Sequence, residues 1–259
     1  MKKIYLSERQ PTFQAHKTLL DNPFYFENSF AIGCIFYLSP DGQLGGDTFL
    51  IQEGNSVVVS LLGDMEGHGA LSRKKLTPIL QDLEKMVSIA SQKRFNSTKI
   101  IRLLSELDEK TGFDNPLTIS LVRLSSNGVI NYLNEGENEL LIYKGGQLAY
   151  RSLDISHGKV GWLNLTVGSK EEIIQNVTPC KDKLMKGDKI LICSDGVFEY
   201  TPDSNLKQGR LENVGRLLTL NKPLTEIVKE INRTAESELR RNSLDNPVDD
   251  YTIVGLEVL

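Results

Sequence analysis

Val57-Val58-Val59-Ser60-Leu61-Leu62, running into Gly63-Asp64-Met65-Glu66-Gly67-His68-Gly69, is an apolar strand that ends in an acid on a glycine-rich turn. A helical pattern follows directly. An aspartate presented at the end of a buried strand is well placed to meet a metal ion. Three other aspartates sit in similar settings, and the rest of the chain is read outward from this one.

Upstream, 29–38 is rich in β-branched and aromatic residues and is closed by Ser39-Pro40-Asp41-Gly42. Segments 45–51 and 56–62 continue a meander. Two helices are expected next. The first, 70–92, has a period near 3.6 with Pro78 inside it, which predicts a kink or break there. The second is 97–110, with Gly112 at its stop. Strands are then expected at 117–124, 129–133, 139–143, 147–151, 172–177 and 189–193. Ser125-Ser126-Asn127-Gly128 is a hairpin signal. Helices at 209–220 and 224–240 precede a last strand at 251–258. Strands and helices in alternating blocks predict an α+β fold with antiparallel sheets. The expected organisation is an N-terminal extension over 1–28 and one domain over 29–259.

Composition narrows the classes. The chain has 259 residues, 39% hydrophobic and 25% charged, with a net charge of -4. That is ample for a sizeable core and lacks the basic footprint of a nucleic-acid binder. Arg73-Lys74-Lys75 reads as a solvated helix face. Cys34, Cys180 and Cys193 fit neither a disulfide framework nor a zinc site, which points to a reducing, cytoplasmic compartment. No secretory signal or membrane span is expected. His16, His157 and Trp162 have no motif around them.

Gly45-Gly46-Asp47 opens a strand and Asp64 closes one. Ile190-Leu191-Ile192-Cys193-Ser194-Asp195-Gly196 is an apolar strand ending in an acid. Asp249-Asp250-Tyr251-Thr252-Ile253-Val254 begins one with two acids. Converging at one edge of a sandwich, these carboxylates would suit magnesium or manganese, and would repel one another without a cation. Each taken singly is also an ordinary turn residue, since Asp and Gly are default turn formers.

The Gly63–Gly69 motif, the run Leu184-Met185-Lys186-Gly187-Asp188-Lys189-Ile190-Leu191-Ile192-Cys193-Ser194-Asp195-Gly196-Val197-Phe198-Glu199, and Asp249–Val254 together resemble the bacterial sporulation-stage-II-E type of PP2C (PPM) serine/threonine phosphatases. The resemblance spans about residues 29–259. It implies an α-β-β-α sandwich of two antiparallel sheets flanked by helices, with two divalent cations, Mn2+ or Mg2+, at one end. Residue by residue, Asp64 is similar to the carboxylate bridging both cations, and the Met65 carbonyl adds a backbone ligand. Asp47 would serve one cation, and Asp195 and Asp249 the other. Asp250 resembles the family's second acid and ranks behind Asp249 as a direct ligand. Asp64, Asp195 and His68 are the candidate catalytic residues; His68 is either a loop-shaping residue or an acid for the leaving group. The chain departs from the family pattern at Leu50, where an acid is usual, at Glu66, and at Asn134-Glu135-Gly136-Glu137-Asn138 in the mid-domain turn.

The implied activity is metal-dependent hydrolysis of phosphoserine or phosphothreonine on a protein, such as a STAS-type anti-sigma-factor antagonist in a partner-switching pathway. A homodimer is compatible with this. The alternative is a pseudophosphatase that docks a phosphoprotein or regulatory partner without turnover. A two-metal hydrolase for another phosphoester would use the same site.

Overall fold

The computed structural model describes residues 2–5, 24–39, 45–67, 69–111, 117–136, 138–151 and 180–259. The elements in chain order are β1 (Lys2–Tyr5), β2 (Phe24–Glu27), β3 (Ala31–Leu38), β4 (Asp47–Glu53), β5 (Val57–Met65), α1 (Gly69–Leu76), α2 (Leu80–Ala90) and α3 (Ser97–Thr111). They continue with β6 (Leu117–Ser125), β7 (Val129–Glu135), β8 (Glu139–Lys144), β9 (Gln147–Arg151), β10 (Cys180–Lys183), β11 (Lys189–Cys193), α4 (Lys207–Leu218), α5 (Leu224–Arg241) and β12 (Tyr251–Val258).

The strands form two sheets, ordered β1-β4-β5-β6-β7-β10 and β2-β3-β12-β11-β8-β9. Every pairing is antiparallel. Because side chains alternate along a strand, each sheet has an inner and an outer face. Phe49, Ile51, Val58, Leu62, Val122, Ile190, Ile192 and Val254 fill the layer between the sheets. Leu50, Val59, Leu61, Ile119 and Leu121 face α1–α3. Cys34, Phe36, Leu191, Cys193, Tyr251 and Ile253 face α4 and α5. The expected α-β-β-α sandwich is thus present, and both sheets carry apolar residues on two faces.

Pro78 breaks the first helical run as expected. A 3-10 turn at Thr77–Ile79 separates α1 from α2. Arg123, buried on β6, ends α2: its Nε donates to the Ala90 carbonyl at 2.9 Å, and its Nη2 to the Gln92 carbonyl at 3.3 Å. Those carbonyls have no partner inside the helix, so a buried guanidinium meets a real need. The hairpin at 125–128 closes with Gly128 at φ 79°.

Three features differ from the expectations. Residues 1–28, read as an extension with no strand, contribute β1 beside β4 and β2 beside β3. β10 was not foreseen; its Cys-Lys-Asp-Lys sequence covers only the edge next to β7 and shows no apolar alternation. β5 runs three residues beyond Leu62, which places Asp64 inside the strand rather than on the turn. Pairing on both sides, to β4 and β6, carries the strand through Gly63. The expected strand at 172–177, the Gly112 stop, His16, His157 and Trp162 lie outside the described residues. No helix among the described residues is long and apolar enough to cross a membrane.

Leu62 is fully buried between the sheets, two residues from Asp64. Leu62→Ala is expected to lower the free energy of unfolding by about 2–5 kcal/mol, read from urea unfolding followed by circular dichroism.

Candidate metal centre

The inner layer turns polar at one end of the sandwich. The alternation that buries Phe49, Leu62, Ile192 and Val254 between the sheets also carries Asp47, Asp64, Ser194, Thr252 and Asp250 onto that same inner face. Asp47 opens β4 and Asp64 lies near the end of β5, and the two are register partners. Asp47 is fully buried, whereas Asp64 is part-exposed.

Asp47 is held from the opposite sheet. Thr252 Oγ1 donates a short hydrogen bond to its Oδ2. Its Oδ1 is buried without a hydrogen-bond partner. Burial pushes the Asp47 carboxyl well above its ordinary value, and the charges of Asp64 and Asp250 push the same way. An acid buried among acids, with one oxygen unpaired, is a site built for positive charge.

Asp250 has a different task. Its Oδ2 accepts from the Gly46 amide at 2.7 Å, and its Oδ1 accepts from the Tyr37 hydroxyl at 3.3 Å. The Gly45 amide in turn donates to the Tyr37 hydroxyl oxygen at 2.9 Å. A Cβ on Gly45 would lie 1.8 Å from Asp250 Oδ2, so only glycine lets the carboxylate grip this backbone. Burial raises the Asp250 carboxyl to about 6, against the lowering effect of the Gly46 amide. Asp250 therefore clamps the Gly45-Gly46 entry to Asp47.

Gly46 also makes room for Met65. The Met65 amide donates to the Gly46 carbonyl at 3.2 Å, and a Cβ on Gly46 would lie 2.3 Å from the Met65 carbonyl oxygen. That carbonyl is thus beside the start of β4.

Asp195 and Asp249, the other two expected ligands, sit where β11 ends and β12 begins. Asp195 opens a 3-10 turn at Asp195–Val197, just after β11. Gly196 lets that turn press on the 249–250 backbone: a Cβ there would lie 2.0 Å from the Asp250 carbonyl oxygen. Ser194 seals the contact, its hydroxyl donating to the Asp250 carbonyl at 3.2 Å and accepting from the Thr252 amide at 3.0 Å. Asp249 and Asp195 are both part-exposed.

Strand register sets Asp47 beside Asp64, but the four expected ligands do not close into a cage. Among the described residues, no three His, Cys, Asp or Glu side chains stand close enough together to hold an ion unaided. Magnesium is commonly bound by one or two carboxylates with several waters, so a paired arrangement fits this ion class. The donors are all oxygen, and the orphaned Asp47 Oδ1 supplies a buried anionic atom. The residues fit hard divalent cations.

His68 lies outside the described residues. Glu66 is exposed. Leu50 is buried on the helix-facing side of β4, away from the inner face that carries Asp47. Asn134 and Asn138 are buried, and Asn134 lies level with Leu62 through Ser120. Asn134 bonds Ser120 and donates to the Asn138 carbonyl at 3.0 Å. Sequence reasoning missed Tyr37, Ser194 and Thr252. The signal available was their strand parity, which matches that of Ile35, Ile192 and Val254 between the sheets.

Comparison with known proteins gives a family. The model for stage II sporulation protein E (SpoIIE) matches residues 54–259. No curated protein matches the chain. Among solved structures, RsbX in complex with magnesium is 16% identical; the match covers 92% of this chain and 100% of that one, with a TM-score of 0.62. The PP2C phosphatase domain and regulatory-domain fragment of SpoIIE from Bacillus subtilis is 20% identical over 92% of this chain and 64% of that one, with a TM-score of 0.64. The catalytic domain of the serine/threonine phosphatase PstP with two manganese ions is 14% identical over 89% and 99%, with a TM-score of 0.55.

Asp47 gives a pH signature. Its raised folded-state value means the folded chain holds a proton that the unfolded chain releases above its ordinary value of 3.8. This contribution makes the cation-free protein less stable as pH rises above that ordinary value. Asp47→Asn cannot ionise, so it is expected to gain stability relative to the parent over that range. Thermal unfolding in chelator at several pH values measures the difference.

Proposed function

The chain belongs to the stage II sporulation protein E family, and from that premise we propose that it is a metal-dependent phosphatase acting on phosphoserine or phosphothreonine in a protein. The observation that carries the reading is the Asp47–Asp64 register pair, with a buried Asp47 oxygen left without a hydrogen bond. Two divalent cations, Mn2+ or Mg2+, are the proposed cofactors, consistent with the magnesium of RsbX and the manganese of PstP.

Asp47, Asp64 and the Met65 carbonyl would hold one cation, and Asp64, Asp195 and Asp249 the other. Bound there, such ions would lower the pKa of a water and offset phosphoryl charge. The chain's own contribution is orientation. Thr252 aims Asp47, Asp250 fixes the backbone before it, and Ser194 locks the Asp195 turn to the Asp249 strand. His68 is the motif's candidate to protonate the leaving oxygen. The proposed substrate is a phosphorylated protein, of the anti-sigma-factor-antagonist type that the family resemblance implies, and the proposed catalytic unit is residues 29–259 with β1 and β2 completing its sheets.

Hydrolysis of p-nitrophenyl phosphate and of a phosphoserine protein, with manganese and with chelator, tests the reading. Activity is expected with manganese, with loss of about a hundredfold or more in chelator and in Asp195→Ala. Absence of turnover under every metal condition would favour docking without catalysis. Activity surviving both chelator and Asp195→Ala would remove the two-metal scheme.

A further inference from the structure

Arg210 on α4 is almost fully buried. A buried guanidinium needs every donor satisfied, and its partners are specific. Nη1 donates to the Phe198 carbonyl at 2.8 Å, and Nη2 to Thr201 Oγ1 at 2.7 Å. Nε donates to Glu238 Oε2 on α5 at 3.1 Å. The guanidinium carbon stands 3.9 Å from the centre of the Tyr200 ring. Three consecutive donors thus tie segment 198–201 to both outer helices.

That segment lies between the two acids of one half-site. At its start, the Phe198 and Glu199 amides donate to the Asp195 carbonyl at 2.8 and 2.9 Å. Further along, the Tyr200 carbonyl accepts from the Val248 amide at 3.2 Å, one residue before Asp249. The Tyr200 ring also rests beside Tyr251, two residues after Asp249, with centroids 6.3 Å apart. One side chain therefore braces the backbone that presents Asp195 and the backbone that presents Asp249.

We propose that Arg210 is a positioning residue for cation binding: by gripping Phe198, Tyr200 and Thr201 it fixes the spacing of Asp195 and Asp249. It touches neither the cation nor the substrate. Its planar fork is what the role demands, because a lysine supplies one point of attachment where three directions are needed. The inference rests on the assignment of Asp195 and Asp249 as ligands.

Manganese titration of the full chain, with free Mn2+ followed by electron paramagnetic resonance, separates the two. If the parent chain binds no Mn2+, or Asp195→Asn binds as the parent does, the ligand assignment fails and the proposal falls with it. If Asp195→Asn weakens binding, the Arg210 variants decide. Arg210→Met is expected to weaken Mn2+ binding by about tenfold or more with unchanged far-ultraviolet circular dichroism, and Arg210→Lys to restore little of it. Glu238→Gln keeps the Phe198 and Thr201 contacts and is expected to bind Mn2+ within about twofold of the parent, even where its melting temperature falls. Should Arg210→Met not fold, Thr201→Val removes one grip and is expected to weaken binding by a smaller factor. Parent-like binding in Arg210→Met, or in Thr201→Val where Arg210→Met does not fold, overturns the proposal. So does equal weakening in Glu238→Gln, which would mark general loosening of the helices.

Discussion

Asp47 and Asp64 are register partners on adjacent strands, and both point into the space between the sheets. Their charges oppose each other, and burial of Asp47 sharpens the conflict. A fold can hold such a pair only if the surrounding backbone cannot relax away from it. The polar end of this sandwich is organised around that constraint. Asp250 and Tyr37 pin the chain before Asp47, Thr252 reaches across from the other sheet, and Gly45 and Gly46 let backbone approach where a Cβ would collide.

The apolar layer below supplies the stiffness. Leu62, Phe49, Ile192 and Val254 lie in the same inner layer as the acids and continue it away from the site. Close-packed interiors transmit strain and do not absorb it, so strand register is held where the acids meet. The outer helices serve the same end from behind. Arg123 closes α2 against the first sheet, and Arg210 braces the Asp195 turn against α4 and α5 beside the second. Two buried guanidiniums thus tie outer helices to the strands and turn they cover, one beside each sheet.

The layout was legible in the sequence wherever period and punctuation agreed. The β3, β6, β8, β11 and β12 patterns gave strands close to the observed bounds, and Pro78 marked a real break. Asp47, Asp64, Asp195 and Asp249 stood out as candidates because each lies at or next to the end of an apolar run. What could not be read was pairing. Extension of β5 to Met65 depends on neighbours on both sides, and β1, β2 and β10 are edge strands whose short sequences lack a buried stripe. The clamp roles of Tyr37, Ser194 and Thr252 come from contacts across more than 50 residues of sequence in the case of Ser194 and Asp250.

Leu50 bears on whether the site can support turnover. The family pattern usually has an acid there, and this chain has leucine. On β4, however, Asp47, Phe49 and Ile51 face inward, while Leu50 packs with Leu61 and Leu83 toward α1–α3. A carboxylate at position 50 would face this apolar layer, not the pair formed by Asp47 and Asp64. The change therefore alters how the helices seat on the sheet and removes no oxygen from the inner face. Glu66 is exposed beyond the end of β5, outside that layer as well. Both departures spare the Asp47–Asp64 pair on which the phosphatase reading depends.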